Sequence, residues 1–327
     1  MAQQVLIAGV GGFIGSNLAR MLLNEGHTVF GVDNLMTGTH ENVAALSNHE
    51  RFTFVANDIC TPDFQNVFPG IRFDEIYHLA CPTGVPNLVI LAEEMLHTCS
   101  FGTYNVLNRA RKDGAKVLFT STAEMYGQPE QFPQHEQYNG NVNPLGIRSA
   151  YEEGKRFSES ILATYVRKYG LNARVVRVFN TYGPGMSLND ERVIPHFLKC
   201  IAESRPLRIY GDGSQTRSHL YVTDLLAGLR IAMEHGTQGE AYNCGGGNPI
   251  AIRELAELML QLSEHPHGIE YKEHFIEDHR GRLPDVAKIE ALGWKQTIAL
   301  EEGLQRMFAH YLPEHAPIRA GAIAIGV

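Results

Sequence analysis

The chain has no run of lysine and arginine, and its 28 basic residues are outnumbered by 36 acidic ones, for a formal net charge of −8. That balance argues against a nucleic-acid-binding surface, because a phosphate backbone calls for clustered cations. No apolar stretch approaches the roughly 20 residues of a membrane span. The start, Met1-Ala2-Gln3-Gln4-Val5, lacks the basic region of a signal peptide. Cysteine is scarce: five residues, at positions 60, 81, 99, 200 and 244, without any C-x-x-C spacing. That odd, scattered set excludes a disulfide framework and a cysteine zinc site, and points to reduced thiols in a cytoplasmic protein. Fifteen histidines are present, with His265, His267, His274 and His279 clustered in the C-terminal third. Without H-E-x-x-H or helical spacing they are surface residues, and no metal is expected. Repeats and low-complexity segments are absent as well.

What is present is an ordinary globular composition, 44% hydrophobic and 20% charged over 327 residues, enough for one large domain or two smaller ones. The N-terminal half alternates short β-branched runs with helical patterns. Strands are expected over 5–8, 28–32, 52–55, 75–79, 117–120 and 174–178, and helices over 16–25, about 86–112 and 150–169. In the first helix Leu18, Met21 and Leu22 share a face. This is the α/β pattern of a doubly wound parallel sheet. Beyond Asn180 the character changes. Turns such as Tyr182-Gly183-Pro184-Gly185 and Tyr210-Gly211-Asp212-Gly213-Ser214 break up shorter elements, as in a smaller α/β lobe. A strand over 241–244 and an amphipathic helix over 252–262 belong to this half. The tail from 318 to 327 is small and apolar without a period, and the sequence leaves open whether it is disordered or packs on a partner subunit.

Gly9-Val10-Gly11-Gly12-Phe13-Ile14-Gly15 holds G-x-x-G-x-x-G directly after a strand and opening a helix. Glycine lets the backbone turn tightly and approach a pyrophosphate, whose charge meets N–H groups at the helix N-terminus. The next strand ends at Asp33, where a carboxylate bonds both ribose hydroxyls and repels a 2′-phosphate, so NAD is favoured over NADP. Asp58, after the third strand, is a candidate adenine contact; the alternative is a surface-loop aspartate.

Tyr151 and Lys155 stand at i and i+4, on one helix face. A phenol with an ordinary pKa near ~10 is a poor base at neutral pH, and a fixed cation beside it brings it toward working range. Ser121-Thr122-Ala123-Glu124 adds a hydroxyl and a carboxylate. With the glycine turn, these residues describe hydride chemistry on an alcohol.

The same segments resemble the extended short-chain dehydrogenase/reductase family, and within it the UDP-glucuronate decarboxylases. The likeness runs from about residue 4 to 312. It is specific in Tyr77-His78-Leu79-Ala80, Val142-Asn143-Pro144-Leu145-Gly146, Tyr151-Glu152-Glu153-Gly154-Lys155-Arg156, Phe179-Asn180-Thr181-Tyr182-Gly183-Pro184, Gly213-Ser214-Gln215-Thr216-Arg217 and Arg282-Leu283-Pro284-Asp285. The resemblance implies a Rossmann-like NAD-binding domain over 1–178, with 218–250 returning to it. A nucleotide-sugar-binding lobe over 179–217 and 251–315 and a tail over 316–327 complete the expected layout. It implies NAD held by Gly9, Gly12, Phe13, Ile14, Gly15, Asp33, Asn34, Asp58, Ala80 and Lys155.

Tyr151 would take the C4 hydroxyl proton, Lys155 would hold the nicotinamide ribose and lower the phenol pKa, and Thr122 would bond O4. Glu124 matches the decarboxylases' glutamate. Asn180, Arg217 and Arg282 would contact the diphosphate, Asp285 the uridine ribose, and His97 would line the substrate site. Arg217 is also a candidate for the reacting end of the sugar. A UDP-linked sugar and a homodimer built from helices near 90–111 and 150–169 complete the implied picture.

The sequence departs from the decarboxylase pattern at Ala123 (commonly serine), His97 (lysine), Cys99 (asparagine), Leu88 (tyrosine) and Gly185 (arginine). Three alternatives to decarboxylation follow. A uronate 4-epimerase needs only Tyr151, Lys155 and Thr122, with no use for Glu124. A 4,6-dehydratase needs an acid where Ala123 stands. A nucleotide-sensing scaffold would keep the fold without needing the Tyr–Lys pair.

Overall fold

The computed structural model describes residues 2–273 and 281–313. Six strands come first in chain order: β1 (Gln4–Ala8), β2 (Thr28–Asp33), β3 (Phe52–Ala56), β4 (Glu75–His78), β5 (Lys116–Thr122) and β6 (Ala173–Val178). With Ala241–Cys244 they form a seven-stranded sheet in which every pairing is parallel. The order across it is β3-β2-β1-β4-β5-β6 and then Ala241–Cys244. The winding reverses between β1 and β4, and at such a reversal the loops part to leave a crevice outside the carboxyl ends of the strands. This is the Rossmann-like, doubly wound sheet that the alternation of strands and helices predicts.

The strands are apolar on both faces because helices cover both. Val5, Ile7, Val29 and Leu118 face Leu18 and Leu22 of α1 (Phe13–Asn24), with Leu225 and Leu229 of the helix Val222–His235 in the same cluster. After α2 (His40–Ser47), α3 (Asn87–Ile90) and α4 (Ala92–His97), the opposite face is covered by α5 (Thr103–Asp113) and α6 (Ser149–Tyr169). There Val106 and Leu107 of α5 and Ile161 and Leu162 of α6 meet Leu6, Ile76 and Val117.

The long helix expected over 86–112 is broken. It stops at Leu91, restarts as α4, and widens into a π turn over Thr98–Gly102 before α5. The packing explains the wide turn: a Cβ on Gly102 would lie 2.8 Å from Ile59 Cδ1, so the chain runs close to the loop after β3. Periodicity within 86–112 carries no trace of that distant loop.

The C-terminal lobe is assembled from small pieces. Leu207–Tyr210 pairs parallel with Ile269–Lys272, and Thr216–Ser218 pairs antiparallel with Pro249–Ala251. Leu220–Tyr221 runs parallel to Thr181–Tyr182. The lobe shares the core of the sheet domain: Phe197, Leu255, Met259 and Phe308 belong to the buried cluster that contains Leu18 and Leu22. His274, His279 and the tail over 316–327 lie outside the described residues. Among the described residues no helix is long and apolar enough to cross a membrane, and no three His, Cys, Asp or Glu side chains group together to hold a metal.

The turn between β1 and α1 is a tightly constrained piece of backbone. A Cβ on Gly15 would lie 2.0 Å from Gly9 O, inside van der Waals contact with main chain that cannot rotate away. Gly15→Ala should therefore lower stability by about 1–3 kcal/mol, the usual cost of overpacking. Chemical denaturation checks this, and an unchanged midpoint would mean that α1 can back away freely.

Candidate active site

The carboxyl ends of β1, β2 and β4 surround an open cleft lined by Gly9, Gly12, Asp33, Asn34, Asp58 and Ala80. Gly9 has φ +92°, and a Cβ there would sit 2.7 Å from Ala80 N, so glycine alone lets β1 turn beside the end of β4. Asp33 pins the turn: Gly11 N and Leu35 N each donate to its carboxylate at 2.8 Å. Burial pushes the Asp33 pKa up, and the two backbone donors work against that rise. Asn34 Nδ2 donates to Asp58 at 3.2 Å, which closes the rim. Phe13 and Ile14 open α1, whose first turn holds no acidic residue and whose Gly12 cap uses no side-chain bond. Gly15 lies beneath, against Gly9. This set suits an anionic dinucleotide: a glycine cradle closed to any Cβ, an uncontested helix N-terminus and a carboxylate facing the same cleft.

Met36, Thr37, Gly38, Asn57, Cys81 and Thr98 also line the cleft. Sequence reasoning does not name them as cofactor contacts, because only the fold sets their loops beside the glycine turn. Gly38 alone carries a signal: it follows Asp33 closely, and a Cβ on it would stand 2.9 Å from Asp33 Oδ1.

Deeper in, β5 delivers Thr122, whose Oγ1 accepts from Glu124 N at 3.2 Å and so starts a tight turn over Ala123–Tyr126. The first turn of α6 brings Tyr151 up to it. The Thr122 hydroxyl works to lower the Tyr151 pKa, yet that pKa is pushed up, first by burial and then by the negative character of Cys81, Glu124 and Cys99. The lowering expected from Lys155 is not what this site shows. Lys155 is 3% exposed, donates to Thr120 O at 2.9 Å and lies 4.7 Å over the Phe119 ring. Its ammonium is engaged on β5, and desolvation of the phenol dominates.

Glu124 is held from two sides. Arg148, at the start of α6, reaches it at 2.7 Å and also meets Glu152 at 3.3 Å. Arg282 reaches its other oxygen at 2.6 Å. Arg282 thus stands against the Thr122–Glu124 segment, at a place that residue spacing could not reveal. Its Nε and Nη2 are buried with no hydrogen-bond partner among the described residues. Sequence reasoning misses Arg148; its i,i+4 spacing to Glu152 is the available signal.

The segment carrying Arg282 and Asp285 is tied to buried Gln134, which accepts from Leu283 N at 2.9 Å and, through its backbone oxygen, from Asp285 N at 2.7 Å. The Asp285 side chain accepts from Ala287 N at 3.0 Å. Asn180 follows β6, and its carbonyl accepts from Leu220 N. Arg217 is buried and donates to Thr216 O. Together with burial, its charge pushes His219 down to about 4. His97 is not brought into this group. It stands exposed on α4, 4.0 Å from Glu93 and with its ring near Phe101.

The model of the NAD dependent epimerase/dehydratase family matches residues 5–245. The chain belongs to this family. Its members, the extended short-chain dehydrogenases/reductases, are NAD-dependent. UDP-glucuronic acid decarboxylase 1 of Arabidopsis thaliana is 40% identical over 309 residues, 94% of this chain and 69% of that protein. UDP-glucose 4-epimerase of Thermotoga maritima, solved with UDP-glucose, superposes with a TM-score of 0.87 at 28% identity, over 95% of this chain and 99% of that one. A dTDP-glucose 4,6-dehydratase of Streptomyces venezuelae, solved with NAD, gives 0.84 at 27% identity, over 95% and 97%.

Removing one partner of a buried ion pair costs roughly 3–5 kcal/mol, less where water screens it. Arg148 is 17% exposed and serves two carboxylates. Arg148→Met should therefore cost about 2–3 kcal/mol in urea unfolding. A change below about 0.5 kcal/mol, the range of ordinary surface substitutions, would show that the Glu124 clamp does not stiffen the fold.

Proposed function

We propose that this protein is an NAD-dependent UDP-glucuronate decarboxylase, acting through oxidation at C4. One observation carries the choice of chemistry: Arg282 sits 2.6 Å from Glu124, with two further buried donors that have no partner among the described residues. A guanidinium beside the catalytic segment suits a sugar with a carboxylate at C6, because its planar fork pairs with carboxylate oxygens.

The residues divide the work as follows. Thr122 fixes O4 of the sugar, and Tyr151 takes the proton of the C4 hydroxyl, its raised phenol pKa being brought down by the positive nicotinamide when NAD is bound. Lys155 holds the ribose beside it. NAD, when bound, accepts the hydride from C4 and gives it back at the end of the cycle. The ketone at C4 makes the uronate a β-keto acid, so the C5–C6 electrons flow toward O4 and carbon dioxide departs. The Thr122 and Tyr151 hydroxyls stabilise the charge that develops on O4. Arg282 orients the C6 carboxylate, and Glu124, clamped by Arg148, keeps that guanidinium aimed. A proton from water then forms the new C5–H bond, and once hydride is back on C4 Tyr151 returns its proton to O4, which gives a UDP-pentose.

A 4-epimerase remains the second reading, favoured by the likeness to the Thermotoga enzyme. It assigns no task to the Glu124–Arg282 pair. Dehydration is disfavoured because Ala123 is a buried methyl packed with Met125, Tyr126 and Phe179. We also infer a homodimer. Leu96, Phe101, Tyr104 and Phe157 are large apolar side chains left 41–59% exposed along α4, the π turn, α5 and α6. Such a patch marks a protein interface. The five free cysteines support a reducing, cytoplasmic setting.

UDP-glucuronate given to the purified protein should evolve carbon dioxide and yield a UDP-pentose by NMR; UDP-galacturonate would mean an epimerase, and unchanged substrate would sink both. Tyr151→Phe should lower kcat by roughly 10²–10⁴-fold, the range for a lost acid–base group, while NAD still co-purifies. Glu124→Gln should cripple decarboxylation, and a fully active variant would remove that carboxylate from the mechanism. Light scattering at micromolar concentration should report a dimer and Phe157→Glu a monomer; a monomeric parent protein would contradict the interface.

A further inference from the structure

Two thiols meet beside the cofactor cleft. Cys81, in the loop after β4, lines the cleft, while Cys99 is 3% exposed in the π turn. Their Sγ atoms are 4.0 Å apart. A disulfide needs about 2.05 Å, so a closure of roughly 2 Å would join them. We propose that Cys81 and Cys99 are a redox-modification site, forming a reversible disulfide that switches the enzyme off when a peroxide enters the cleft.

The surroundings suit the chemistry. The Lys155 ammonium favours the thiolate form of both sulfurs. The Cys99 pKa is lowered to about 7, chiefly by the hydrogen bond from Cys81 and further by Lys155 and Ser158. Cys81 is pushed the other way, by the same hydrogen bond and by burial. The pair is thus divided into an attacking thiolate and a protonated resolving thiol. Neighbouring Cys60 is pushed up to about 12 by burial and Asp58, and competes poorly.

The Cys99 sulfur attacks the peroxide O–O bond, forms a sulfenic acid and releases hydroxide or alkoxide. The Cys81 sulfur then attacks the sulfenic sulfur. An S–S bond forms, the S–O bond breaks, and water leaves with the Cys81 proton. Two thiols lose two electrons and two protons, and the peroxide is reduced.

The bond would reach the catalytic pair through α6. A Cβ on Gly154 would meet Cys99 Cβ and Sγ at 3.2 Å, and Ser158 Oγ donates to Cys99 O at 2.7 Å. Cys99 therefore rests on the helix one residue before Lys155. Drawing it toward Cys81 withdraws that support and displaces Tyr151 and Lys155. This consequence rests on the catalytic reading of those two residues; formation of the bond does not.

The test treats the full-length holoenzyme with hydrogen peroxide. Non-reducing peptide mapping should show Cys81 joined to Cys99. Turnover of UDP-glucuronate should fall on the order of a hundredfold, the cost of displacing catalytic groups by about 1 Å, and recover with dithiothreitol. Cys99→Ser, or Cys99→Ala should serine disturb the fold, should keep its own untreated turnover after peroxide. Reduced Cys81 and Cys99 after full exposure, a different pairing, or equal inhibition of the variant would overturn the proposal. The linked peptide is read without substrate. A protein inactive on UDP-glucuronate would therefore sink the functional reading and leave the disulfide to be decided by the mapping.

Discussion

The carboxylate of Glu124 is the point on which the active site turns. Three remote parts of the chain converge on it: the end of β5 that carries it, the start of α6 through Arg148, and the lobe through Arg282. Its side chain is only 12% exposed, so it is tolerated as an anion because two guanidiniums face it. Arg148 also meets Glu152, so one guanidinium links the two carboxylates. That link has a geometric effect. It fixes the first turn of α6, which carries Tyr151, against the end of β5, which carries Thr122. The Arg282–Glu124 contact ties the Arg282 segment to the end of β5.

Features set by short-range rules are legible in the amino-acid sequence. The glycine turn, Asp33 at the end of β2 and the Tyr151–Lys155 spacing each depend on a few adjacent residues, and the parallel sheet follows from repeated apolar runs. Features that depend on distant packing are not legible there. The π turn exists because Gly102 runs close to Ile59, and nothing near residue 102 says so. The resemblance assigns Arg282 to the diphosphate, and its contact with Glu124 is not legible because the two lie far apart in sequence. Arg148 is hidden for the same reason. The raised pKa of Tyr151 has a different origin: spacing shows that a cation is near, but not that Thr120 O engages it or that burial outweighs it.

The positions where this chain departs from the decarboxylase pattern fall into physically distinct places. Ala123 is buried in a small cluster with Tyr126 and Phe179, so a serine there would bring a hydroxyl into apolar surroundings. Gly185 has φ +89°, and its carbonyl accepts from Asn42, which ties the loop to α2 without a side chain. Leu88 is buried on α3, and His97 faces outward. Cys99 adds a second sulfur beside Cys81. The cofactor cleft keeps its glycine cradle and its carboxylate, while Gly185 shares Asn42 with Gly11 of the glycine turn.

If the Glu124–Arg282 pair selects a carboxylate at C6, that selection should be visible in binding alone. The most direct measurement compares the binding of UDP-glucuronate and UDP-glucose, which differ only at C6, by calorimetry in the parent protein and in Arg282→Gln. The parent should clearly prefer the uronate, and the variant should largely lose that preference, by about 1.5–3 kcal/mol, as for a charged hydrogen bond. An unchanged preference would contradict the selection, and would return Arg282 to a role in holding the nucleotide.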